Sequence, residues 1–177
     1  MFNQKGKDKY AEKQYQMIDE KLDRFNAFLS NDEMQDMKGK KHQILVIEDS
    51  LADVDNIRKM LESSKIKFEM MVINNGQDAI SFLERESQWE NMPIPDLIII
   101  DLNLPKISGG QILNYLKKNT YLSWIPRVAI TSDASKFSKI LNKEHQNTKI
   151  VQKPFAKLEL FAALASANPL MYTNLAM

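Results

Sequence analysis

Glu48-Asp49, Asp101, Thr131 and Lys153-Pro154 are the residues whose types and spacing could do chemistry together. Each stands at the end of a short apolar run: Ile44 to Ile47 before Glu48, Leu97 to Ile100 before Asp101, Val128 to Ile130 before Thr131, and Ile150-Val151-Gln152 before Lys153. If these runs are neighbouring parallel strands, the polar residues share one rim, because ligands in such sheets bind beyond the carboxyl ends of the strands. Two carboxylates about 4 Å apart repel by roughly 4 kcal/mol at an effective dielectric near 20. Glu48, Asp49 and Asp101 therefore need a compensating charge. Oxygen-only ligands favour a hard divalent cation, Mg²⁺ or in its place Mn²⁺, over zinc, and Lys153 adds a second positive charge. A carboxylate facing such charges can itself attack phosphorus and form an aspartyl phosphate. Asp101 is the candidate nucleophile, and Thr131 can donate its hydroxyl to a phosphoryl oxygen.

The elements that must position these residues follow from hydropathy. Continuous β-branched runs suit strands buried on both faces by helices. Strands are expected near Gln43 to Ile47, Phe68 to Ile73, Leu97 to Ile100, Arg127 to Ile130 and Lys149 to Gln152. Helices are expected over Leu51 to Ser63 behind a Ser50 cap, Gln77 to Glu86, Gly109 to Lys118, Ser135 to His145, and Leu158 to Ala167. Five strand–helix units with right-handed crossovers give a flavodoxin-like (βα)5 three-layer sandwich around a parallel five-stranded sheet. Trp89 to Pro95 reads as a surface loop into the third strand, with Trp89 and Trp124 covering core edges.

An amino-terminal helical extension precedes this domain, so the expected division is 1–42 for helix and linker and 43–173 for the sandwich. Neither glycine nor proline interrupts the chain between Gly6 and Gly39. Ala11, Tyr15, Ile18, Leu22, Phe25 and Leu29 form a stripe along one helical face. Such a stripe is too apolar to stay solvated, and it could pack on the sandwich, pair in a homodimer or dock on another protein.

Bulk properties mainly exclude. Lys and Arg number 24 against 23 Asp and Glu, a net charge of +1, which offers no electrostatic case for nucleic acid or an anionic membrane. No apolar run approaches the ~18 residues of a membrane span, and the first ten residues are too polar for a signal peptide. The absence of cysteine fits a cytoplasmic protein. His42 and His145, in the linker and near a helix end, have no ligand partner at metal spacing.

At its polar positions the chain resembles the receiver domain of two-component response regulators, over roughly Gln43 to Asn168. The resemblance rests on the acid pair Glu48-Asp49, on Asp101, on Thr131 and on Lys153-Pro154-Phe155, each after its own strand. Residues 101 to 131 and 131 to 153 are separated as in that family, whereas the interval from 49 to 101 implies a longer loop. Glu48-Asp49-Ser50-Leu51-Ala52-Asp53 and Asp101-Leu102-Asn103-Leu104-Pro105-Lys106 look most like the single-domain regulators that partner bacterial phytochromes. The resemblance implies that Asp101 accepts a phosphoryl group from a phosphohistidine on a sensor histidine kinase or phosphotransfer protein. It implies that Asp49, Asp101 and the Asn103 backbone carbonyl bind Mg²⁺, with Glu48 acting through water. Lys153 would pair with the phosphoryl oxygens and Thr131 would close on them, in a phosphorelay switch rather than a conventional enzyme.

Two departures qualify the resemblance. Ile150 stands where the family usually has a Tyr or Phe that swings inward, and Ser108-Gly109 stands where Asp-Gly is common. The chain ends 24 residues after Lys153, room for one helix and no output domain, so signalling is expected through protein contacts. One alternative is a phosphorylation-independent interaction module, supported by Ile150. The other is a Mg²⁺-dependent phosphohydrolase with an aspartyl-phosphate intermediate, which would need an acid–base aspartate where Asn103 stands.

Overall fold

The computed structural model describes residues 41–64, 66–133 and 147–167. The expected helix Ser135 to His145 and nearly all of the 1–42 extension lie outside these residues. Five strands form one parallel sheet: β1 (His42–Ile47), β2 (Phe68–Ile73), β3 (Leu97–Asp101), β4 (Arg127–Thr131) and β5 (Thr148–Gln152), in the order β2-β1-β3-β4-β5. The described helices are α1 (Leu51–Glu62), α2 (Gly76–Leu83), α3 (Gly109–Lys118) and α4 (Lys157–Ala167). A 3-10 turn at Ser87–Trp89 follows α2. No helix among the described residues is long and apolar enough to cross a membrane.

Strand alternation divides the core into two layers. Side chains of successive strand residues point to opposite faces, so Ile44, Val46, Leu97, Ile99, Val128 and Ile130 pack with Val54, Ile57 and Leu61 of α1 and Leu160 and Leu164 of α4. Leu45, Ile47, Ile98, Ile100 and Ala129 pack on the other face with Ala79 and Phe82 of α2 and Ile112, Leu113 and Leu116 of α3. Every residue of β3 and β4 is buried. That explains why apolar side chains run up to the carboxyl ends of these strands, where Asp101 and Thr131 stand; the one earlier polar residue, Arg127 at the start of β4, is buried with its guanidinium donating to the Ile125 and Ser123 carbonyls.

The chain runs from β1 outward to β2 and then crosses back to β3 on the other side of β1. The loops after β1 and β3 therefore leave in opposite directions, and a crevice opens between them. Register fixes what lies there. Ile47 pairs with Ile100, Asp101 with Ile130, and Thr131 with Gln152, so Glu48, Asp101, Thr131 and Lys153 leave the sheet at nearly the same level.

Some boundaries differ from expectation. His42 opens β1 instead of belonging to a linker; its backbone N–H donates to the Lys67 carbonyl at 2.9 Å. Helix α2 ends at Leu83, three residues before Glu86, because Arg85 adopts a left-handed backbone with φ of 59°. The N–H groups of Arg85 and Glu86 then close on the carbonyls of Phe82 and Ser81, a helix stop usually made with glycine. Trp89 covers the core edge through an edge-on contact with Phe82, ring centroids 5.6 Å apart. Trp124 does not; it is 57% exposed.

Candidate functional site

Glu48 extends β1 by one rung, its N–H donating to the Ile73 carbonyl at 3.0 Å. That rung carries the side chain into the crevice, where it is buried. One carboxylate oxygen accepts the Ser50 N–H at 3.0 Å and the other accepts the Lys153 ammonium at 2.8 Å. Burial pushes its carboxyl above the usual glutamate value, and the Lys153 and Ser50 hydrogen bonds only partly offset this. Asp49, next in the chain, is exposed. Ser50 caps α1 by accepting the Asp53 N–H at 3.3 Å.

Asp101 closes the central strand and is buried. Its Oδ1 accepts the Asn103 N–H at 2.8 Å, and its Oδ2 accepts the Lys153 ammonium at 2.6 Å. Close packing of the following loop holds it there. A Cβ on Gly109 would lie 2.1 Å from the Asp101 carbonyl oxygen, and one on Gly76 would lie 1.9 Å from the Ile107 carbonyl oxygen. The loop between β3 and α3 is thus pressed against the end of β3 on one side and the start of α2 on the other. Ser108 and Gln111 cap α3 reciprocally, which is what serine contributes at the position where Asp-Gly is common.

Thr131 is fully buried at the end of β4, and its hydroxyl accepts the Asp133 N–H at 3.1 Å. Ser132 faces the rim and accepts the Asn103 side-chain amide at 3.1 Å. The Lys153 N–H donates to the Thr131 carbonyl at 2.7 Å, one rung past the last β4–β5 pair, and the Lys153–Pro154 peptide is cis. Read alone, Lys153 would pass as solvated surface. Instead its side chain is only 19% exposed, and its ammonium lies 2.6 Å from Asp53, 2.6 Å from Asp101 and 2.8 Å from Glu48. Burial pulls its pKa down, but hydrogen bonds to Asp101, Asp53 and Glu48 outweigh burial and hold it above the ordinary lysine value.

The expected residues Glu48, Asp49, Asp101, Asn103, Thr131 and Lys153 all lie at this rim. Carboxylate oxygens of Glu48, Asp49 and Asp101 fall within 4.8 Å of one another. Three carboxylates and no softer donor fit a hard divalent cation. Asp53 completes the lysine's coordination and was not among the expected site residues. As an acidic residue in the first turn of a capped helix it reads as a partner of the helix dipole; the nearby acid pair was the only other hint.

Comparisons with known proteins agree with this geometry. The family model for the response regulator receiver domain matches residues 44–165. The response regulator Rcp1 of Synechocystis sp. is 38% identical over 99 residues, covering 56% of this chain and 67% of the relative. The polar-differentiation response regulator DivK of Brucella anthropi is 32% identical over 93 residues, covering 52% of this chain and 68% of the relative. Among solved structures, the Mn²⁺-bound form of Rcp1 superposes with a TM-score of 0.65 at 30% identity, over 77% of this chain and 99% of that one. The bacteriophytochrome response regulator RtBRR gives a TM-score of 0.67 at 30% identity, over 73% of this chain and 79% of that one. An acid pair after β1, a buried aspartate after β3, a hydroxyl after β4 and a lysine after β5, on this sheet order and within a matched span of this length, make the chain a member of the response regulator receiver family.

Proposed function

We propose that this receiver is a phosphoacceptor switch in which Asp101 takes a phosphoryl group from a phosphohistidine in a Mg²⁺-dependent reaction. The observation that carries this reading is the Asp101 carboxylate itself, buried at the end of the central strand with the Lys153 ammonium at 2.6 Å. In the transfer, an Asp101 carboxylate oxygen attacks phosphorus and the phosphorus–nitrogen bond breaks. The imidazole keeps the bonding pair and takes up a proton. Lys153 stabilises the transferred oxygens as charge develops on them, and the Thr131 hydroxyl, at the end of the neighbouring strand β4, would turn to donate to one of them. Attack by water on phosphorus later restores the carboxylate and releases phosphate. Glu48, Asp49, Asp101 and the Asn103 carbonyl would hold Mg²⁺, which when bound supplies positive charge to the phosphoryl oxygens.

The bacteriophytochrome response regulators among the similar structures support a sensor histidine kinase as the donor. The domain acts as a signalling switch, catalysing only its own phosphorylation and dephosphorylation. Residues 43–173 form the receiver in this reading, and the apolar stripe within 1–42 serves self-association or partner docking. Incubation with acetyl phosphate and Mg²⁺ should add one phosphoryl group. That group should be absent in Asp101→Asn and after chelation of Mg²⁺; modification persisting in Asp101→Asn would overturn the assignment.

A phosphorylation-independent interaction module is the second reading, favoured by one observation. Ile150 is a half-buried residue of the edge strand β5, with no ring to move between two positions. Partner binding that is identical in wild type and Asp101→Asn would support that reading.

A further inference from the structure

We propose that Asp53 is a positioning residue for the phosphoryl chemistry: it holds the Lys153 ammonium in the resting site and yields it to the incoming phosphoryl group. This rests on Asp101 being the phosphoacceptor. An ammonium has three N–H donors, and here Asp53, Asp101 and Glu48 occupy them at 2.6, 2.6 and 2.8 Å. A phosphoryl group arriving on Asp101 brings new oxygens to the same ammonium. One resting partner must then let go.

The surroundings of the three carboxylates decide which. The Glu48 side chain is 1% exposed, so it cannot turn to water if the lysine leaves it, and losing a buried partner is the costly outcome. Asp101 is the point of attachment, and its other oxygen is already engaged by the Asn103 N–H. The Asp53 side chain is 34% exposed. It lies in the first turn of α1, where a negative charge remains favourable after it turns to water. Its backbone stays pinned, because the Asp53 N–H donates to the Ser50 hydroxyl. Rotation of one side chain therefore exchanges the lysine between partners without moving the helix. Until that rotation occurs, Asp53 both occupies Lys153 and places a negative charge beside the path of an anionic phosphodonor.

Asp53→Asn removes the charge and keeps the shape. With Mg²⁺ saturating and acetyl phosphate as donor, the half-saturating donor concentration should fall on the order of two- to fivefold, the range for one partly exposed ion pair, while the maximal rate changes little. The difference from wild type should narrow as ionic strength rises, because screening weakens exposed charges. Asp53→Glu, which restores the charge, should return half-saturation toward the wild-type value. Asp53→Ala serves as a second neutral variant, to be read if Asp53→Asn does not fold. A residue that only capped the helix would change thermal stability and leave the donor dependence and its salt response as in wild type. An unchanged or higher half-saturation in a folded neutral variant overturns the role of Asp53. Wild-type protein that takes up no phosphoryl group overturns the phosphoacceptor reading instead, and this inference falls with it.

Discussion

A methyl group built on Gly109 would sit 2.1 Å from the carbonyl oxygen of Asp101. The first residue of α3 thus lies directly against the backbone of the candidate phosphoacceptor. No side chain can enter that contact unless the end of β3 or the start of α3 shifts. Gly109→Ala should destabilise the domain by about 1 to 3 kcal/mol, the usual range for overpacking. It should also weaken divalent cation binding, because Asp101 moves with its carbonyl. Urea denaturation and calorimetric Mg²⁺ titration would check both. Ser108→Ala, which removes only the cap, should cost about 1 kcal/mol and leave metal affinity unchanged.

Removing the lysine should expose the charge crowding at the rim. In Lys153→Ala the buried carboxylates of Glu48 and Asp101 lose their shared cation, and the metal-free domain should lose about 3 kcal/mol. Added Mg²⁺ should restore more stability to this variant than to wild type, since the ion replaces part of the missing charge. Denaturation with and without Mg²⁺ gives the comparison. Equal Mg²⁺ stabilisation of both proteins would mean that lysine and metal do not compensate the same carboxylates.

Glu48 should give the metal-free domain a distinct pH dependence. Burial holds its carboxyl above the ordinary glutamate value, so the folded chain binds that proton more tightly than the unfolded chain. Between the ordinary value and the raised one, this group's contribution to stability is present at the acid end and declines as pH rises. Glu48→Gln cannot titrate, and it should remove that decline. Lys153 keeps Asp53 and Asp101 as partners in the variant. Stability measured from pH 4 to 8 should therefore fall less steeply for Glu48→Gln than for wild type.

Ile150 predicts a confined response to phosphorylation. It pairs with Ala129 on β4 and is half-buried, so it has no aromatic ring to carry a signal outward. In methyl and amide spectra, phosphorylated and resting protein should differ most at Asn103 and from Thr131 to Asp133. The Ile150 methyl signals should shift little. A large displacement of Ile150 would instead give β5 a part in the switch.

Much of this site is legible in the sequence because a parallel strand buried on both faces confines its polar residues to its ends. Asp101 and Thr131 stand out for that reason, and Lys153 follows an apolar pair and one glutamine. What the residues could not convey is how charge is shared. Lys153 could have paired with Asp49, but the three carboxylates within hydrogen-bonding reach are Glu48, Asp53 and Asp101. That choice depends on the direction of a four-carbon stem from the end of β5, set by interstrand register and not by spacing along the chain. The early end of α2 was hidden for a different reason: Arg85 takes a left-handed conformation that residue type alone assigns to glycine or asparagine. Trp124 misled because a large aromatic beside a proline ordinarily covers apolar surface, whereas this one remains in water.

The contact between Lys153 and Glu48 spans 105 positions of the chain. No shorter stretch contains both the acid pair and the cation that neutralises it. A polypeptide emerging from the ribosome therefore carries its acidic cluster uncompensated until the last strand has been made and inserted beside β4. Closure of the site waits on β5, and a chain truncated before that strand would hold Glu48 and Asp101 without the cation they share.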